Sequence, residues 1–223
     1  MPKPLSEKAR YFSLISQLTR DHKPVILHSS LSLESFFSMK RIIIATLVGA
    51  TVAFLWNFVS WQLLSWHRMD SFDDYAAVVK VIKENTPAHG IYLLPMKGQD
   101  GPNADAITEG PFIYAVVRPG KLDTPWKLST HLIHSYLTQL VGALIIAIAI
   151  HRIRATRYLS RASVGSAMGL FAGLTMSLPH WNWLGLPGSD ALVHILDPLI
   201  GWTLAGLCIA AIIKPPRTRR IFT

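Results

Sequence analysis

From Ile42 to Trp66 the chain reads IIIATLVGATVAFLWNFVSWQLLSW, without a charged residue. About 20 apolar residues in a helix cross a hydrocarbon core roughly 30 Å thick. This run therefore predicts a membrane-spanning helix over 42–66. Three more runs follow. They are Leu132–Ile150, Ser163 to about Leu178 with an aromatic extension at His180–Leu184, and Ala191–Ile213, interrupted only by Asp197 and Pro198. Four such helices in 223 residues leave too little polar surface to cover them in water. The expected fold is an all-α membrane protein, a four-helix transmembrane bundle with a small α+β extracytoplasmic cap.

The flanking charges choose an orientation. Residues 1–41 hold seven Lys/Arg and three acids; Arg152, Arg154, Arg157 and Arg161 lie between runs two and three with no acid; Lys214, Arg217, Arg219 and Arg220 follow the last run, again with no acid. Basic flanks stay on the cytoplasmic side. The expected organisation is a cytoplasmic segment 1–41, helix 42–66, an outer cap 67–131, helix 132–150, a basic cytoplasmic loop 151–162, helix 163–180, an outer turn 181–190, helix 191–213 and a cytoplasmic tail 214–223. The net charge of +9 is thus concentrated at one membrane face. It reads as topology and contact with anionic lipid, and a nucleic-acid partner is not expected. Met39-Lys40-Arg41 ahead of an apolar stretch outlines a signal peptide. The stretch is too long for one and LLSWHRMD has no small-x-small cleavage site, so an uncleaved anchor is expected. Met39 also offers an alternative start. The weakly amphipathic residues before it read either as an interfacial helix or as sequence upstream of the true start.

In the outer segment, SFDDYAAVVKVIKEN has a helix pattern. Ser71 is the expected N-cap, Asp73 and Asp74 lie in the first turn, and Tyr75, Val78, Val79 and Ile82 share one face. Pro87 and Gly90 end it. GIYLLP and GPFIYAVVRPG read as strands of a ribbon that must pack on the helix, on the membrane helices or on a partner. The run Asp100–Asp105 lacks EF-hand spacing and reads as a solvated loop. FLWNFVSWQLLSWH followed by NTPAHGIYLLP resembles small bacterial inner-membrane proteins with a Trp-rich first helix and a short extracytoplasmic segment bearing a Gly-x-Tyr-x-x-Pro strand, here Gly90, Tyr92 and Pro95. The resemblance covers about a quarter of the chain, implies a bacterial membrane setting and brings no activity. The layout also resembles the disulfide-relay quinone enzymes, a role that the single cysteine, Cys208, removes.

Ionisable groups at membrane depth are costly and mark function by default. Asp197 is the only acid inside an apolar run, and His194 shares its helix face at i, i+3. His131 and His134 open the second span with the same spacing. On the expected topology His67, His131, His134, His180 and His194 gather at the outer end. The candidate site is His131, His134, His194 and Asp197. Three readings stay open for it: an aromatic interface in which Asp197 fixes helix packing, a metal or haem site, and a proton or solute path. The sequence requires no cofactor. Asp197→Asn is expected to disturb folding or assembly more than any other span substitution. Gly165, Gly169 and Gly173 form a small-xxx-small ladder for close helix contact, within the chain or with a second copy.

There is no nucleophile elbow and no HExxH motif. The leading expectation is a non-enzymatic envelope, assembly or accessory subunit in the inner membrane, whose partners are the bilayer and a membrane protein or second copy. The alternative is a metal- or haem-binding or proton-coupled membrane protein built on the His/Asp cluster.

Overall fold

The computed structural model describes residues 23–67, 69–94, 111–118, 128–153 and 155–215, with side chains described from Ser38 onward in the first segment and from Ser129 in the fourth. In chain order these form α1 (Lys23–Gln62), α2 (Tyr75–Asn85), β1 (Gly90–Leu94), β2 (Ile113–Val117), α3 (Leu128–Arg152), α4 (Tyr158–Leu184) and α5 (Gly188–Ile212). Four helical stretches are long and apolar enough to cross a membrane: Ser38–Gln62, Ser129–Arg152, Tyr158–Leu184 and Gly188–Ile212. Residues 1–22, Pro95, the Asp100–Asp105 run and the tail from 216 lie outside the described residues.

Several boundaries depart from the hydropathy pattern, each for a local reason. Helix α1 stops at Gln62, not Trp66. The N–H groups of Leu63 and Leu64 both reach the Val59 carbonyl, at 2.9 and 3.1 Å. That widened last turn folds residues 63–67 back along the helix. Helix α4 runs past His180 to Leu184 with Pro179 inside it, so the following turn shrinks to Gly185–Pro187. Gly185 adopts the left-handed conformation at φ 68°, and the N–H groups of Gly185 and Leu186 both reach the His180 carbonyl. The N-cap of α2 is Asp74 rather than Ser71: its Oδ1 accepts the Ala77 N–H at 2.9 Å. Both residues suit a cap, and Asp74 directly precedes the apolar-faced run.

Alanines and a few isoleucines fill the interior, and most large side chains face outward. Ala45, Ala50, Ala143, Ala147, Ile146, Ile150, Ile209 and Ala210 are buried, whereas Ile43, Leu55, Phe58, Val141 and Phe171 are exposed. This inverts the water-soluble pattern and suits helices whose outer surface meets lipid. The helices pair antiparallel. Ser38 Oγ lies 3.2 Å from His151 Nε2, Gly49 meets Ile209, and an Arg161 Nη donates to the Ala210 carbonyl at 3.3 Å. The start of the α1 span, the end of α3, the start of α4 and the end of α5 therefore share one end, where Lys40, Arg41, Arg152, Arg157 and Arg161 also lie.

The α4–α5 pair is the tightest. A Cβ at Gly165 would run into the Trp202 carbonyl oxygen, one at Gly169 into the Pro198 carbonyl oxygen, and one at Gly173 would sit 2.8 Å from Ile195 Cα. The small-residue ladder thus seats α5 of the same chain. Arg161, 5% exposed, ties the pair at the basic end by donating to the Thr156 carbonyl at 2.9 Å as well as to Ala210. It stands where the dipole of α5 favours a cation.

The described residues between α1 and α3 pack little. Strands β1 and β2 pair antiparallel from Gly90↔Val117 to Leu94↔Ile113, and Phe112 lies beside Gly185. Helix α2 buries no residue, and no residue of either strand is buried.

Candidate functional site

Asp197 is 8% exposed and sits one helical turn beyond His194 on α5. Pro198 follows it and has no N–H, so the carbonyl of His194 loses its helical donor. The carboxylate faces α1. Trp56 Nε1–H donates to Asp197 Oδ1 at 2.7 Å and to the Asp197 carbonyl at 3.1 Å. The indole comes this close because Gly201 has no side chain; a Cβ there would lie 2.7 Å from Trp56 Cδ1.

The second carboxylate oxygen, Oδ2, lies 3.5 Å from His67 Nε2, with the two side chains 5% and 11% exposed. His67 arrives by the fold-back after α1. Ser60 Oγ, wholly buried, is 3.0 Å from the same Nε2, and Trp66 Nε1–H donates to Ser60 Oγ at 3.1 Å. The His67 ring stacks on Trp61 at 3.9 Å between centroids and 5° between planes, and lies 5.7 Å from the His194 ring. Because Ser60 Oγ accepts from Trp66, its own proton is available to Nε2 of a neutral His67. Once protonated, Nε2 becomes a donor and faces Asp197 and Ser60 together.

Each residue of this pair lines a cavity. One, of about 50 Å³, is lined by Trp61, Trp66, His67, Asp190 and His194 and by no atom of Asp197. The other, of about 110 Å³, is lined by Trp56, Asn57, Gln139, Asp197 and Trp202 and by no atom of His67.

Of the four sequence candidates, His194 and Asp197 stand together, and His194 is exposed. His131 and His134 are both exposed on α3. Among the described residues no group of three or more His, Cys, Asp or Glu is placed to hold a metal ion. The residues that complete the site are Trp56, Ser60 and His67, all from the segment FLWNFVSWQLLSWH. A signal for them exists: an indole N–H inside a span needs an acceptor, and Asp197 is the only acid within an apolar run. His67 could not be assigned without the fold-back.

Comparison with known protein families, curated proteins and solved structures finds no match for this chain.

Proposed function

We propose that this chain is a multi-pass protein of the bacterial inner membrane that works without catalysis as an envelope, assembly or accessory subunit. In this reading the four long helices form a transmembrane bundle with both termini cytoplasmic, and α2 with the hairpin is its extracytoplasmic cap. The observation that carries it is the open apolar surface of that cap. Ile91, Leu93, Tyr114 and Val116 occupy one ribbon face by register, and all four are exposed. On α2, Tyr75 and Val81 are exposed too. A two-strand ribbon is marginal in water by itself. Its missing burial comes from a membrane-protein partner. A photo-crosslinker at Val116 tests this in intact cells: the reading expects one discrete protein adduct, and adducts to lipid alone count against it. Single cysteines at Met69 and Lys214 in a Cys208→Ala background test the orientation, with labelling by a membrane-impermeant maleimide expected at position 69 only.

A second reading is favoured by a separate observation. His67 and Asp197 face each other and each lines a cavity, and Nε2 has Asp197 and Ser60 as neighbours in either protonation state. That arrangement supports the proton-coupled alternative. Proteoliposomes with an internal pH dye test it. A pH jump should equilibrate faster with the wild type than with Asp197→Asn, and equal rates sink this reading.

A further inference from the structure

We propose that the larger cavity binds a small alkylammonium cation, and that this cation and a proton on His67 are alternative counter-charges for Asp197. The inference rests on the proton-coupled reading and adds the ligand class. A buried carboxylate is stable only beside a compensating charge or proton. On one side stands His67, whose Nε2 lies 3.5 Å from Oδ2 and supplies that charge only when it carries a second ring proton. Asp197 also lines the cavity of about 110 Å³, and the groups around that cavity suit an organic ammonium. Asp197 supplies negative charge, Asn57 and Gln139 supply amide oxygens for N–H donors, and Trp56 and Trp202 supply aromatic surface, the best side chains for a cation–π contact.

The walls are held in place by glycines. Gly201 admits Trp56, and Gly142 admits Trp202, whose ring a Cβ at that position would strike. An engineered cavity of about 150 Å³ takes benzene, so this smaller one fits a ligand of a few heavy atoms, of methylammonium size. With Trp56 Nε1–H already on Oδ1, the carboxylate keeps lone pairs free for one more donor, from His67 or from the cavity. When the cation enters, His67 gives up its proton to water through the smaller cavity and its Nε2 turns to the Ser60 hydroxyl. Charge is conserved, one cation in for one proton out. Among the described residues the titratable groups around the pair are His194 and Asp190, both from α5. Helix α1 presents Trp56, Asn57 and Ser60, α3 presents Gln139, and α4 meets α5 through glycines; none of these titrates.

The test is methylammonium chloride added to the intact detergent-solubilised protein, with potassium chloride at equal ionic strength as control. Tryptophan fluorescence reads binding and a dye in weak buffer reads proton release. The expected result is a saturable change with about one proton released per cation, and an apparent Kd that rises up to tenfold per unit fall in pH. His67→Gln should bind with no proton release and no pH dependence. Asp197→Asn should not bind; should it fail to fold, Gln139→Leu, which fills the cavity from another helix, must lose binding while its melting curve stays cooperative. A wild type with no saturable change, or with binding indifferent to pH, overturns the inference. Proton flux in proteoliposomes that persists without methylammonium binding would leave the proton-coupled reading standing and remove only the ligand.

Discussion

Trp56 on α1 donates its indole N–H to Asp197 on α5 at 2.7 Å, so one helix holds the acid of another. Hydrogen bonds to charged groups contribute about 1.5–3 kcal/mol, and an orphaned buried acceptor costs at least as much as the bond. Trp56→Phe keeps most of the ring and removes the donor. It should lower stability by about 2 kcal/mol in reversible unfolding from detergent micelles. Asp197→Asn retains an oxygen acceptor for Trp56 and should cost less than Asp197→Leu, which does not.

The glycine seats on α4 should be less tolerant than the acid. Overpacking typically costs about 1–3 kcal/mol, and here the obstruction at Gly165 and Gly169 is backbone carbonyl, which cannot rotate away. Gly169→Val is expected to abolish folded protein in a size-exclusion assay. Gly188→Ala, where a Cβ would meet nothing closer than Trp181 Nε1 at 4.0 Å, should behave as wild type. Running Asp197→Asn beside Gly169→Val in the same assay decides between this expectation and the one from hydropathy, which puts Asp197→Asn first.

Arg161 clamps the basic end. Arg161→Met removes its donations to the Thr156 and Ala210 carbonyls while keeping apolar bulk. Amide exchange should quicken in 207–213 and stay unchanged around Asp197. Uniform quickening along α5 would show that Arg161 acts globally.

Helix α2 has one cap that can be removed cleanly. Asp74→Ala should cost that helix about 1 kcal/mol, seen as faster amide exchange at Ala77. Ser71→Ala, one helical turn upstream, should leave exchange there unchanged.

The long elements were legible because a charge-free run has few alternatives. Trp66 and His67 were not, since hydropathy counts Leu63–Trp66 as more helix, whereas the Val59 carbonyl takes two donors and ends it. His131 and His134 shared the spacing of His194 and Asp197, but spacing fixes only relative angle on one helix. It leaves open which face the helix turns inward, and α3 turns both histidines out. The ladder Gly165–Gly169–Gly173 was legible as a contact surface; only the α5 backbone lying on it identified the neighbour.

The contact between α1 and α5 also imposes an order of events. Trp56, Ser60 and His67 leave the ribosome with the first span, and Asp197 leaves with the last. Until α5 inserts, the first span carries an indole donor with no carboxylate to receive it, and the glycine face of α4 is open to any neighbouring helix. Among the described helices α5 therefore closes the structure, and a chain cut before Gly188 should be degraded rather than accumulate without it.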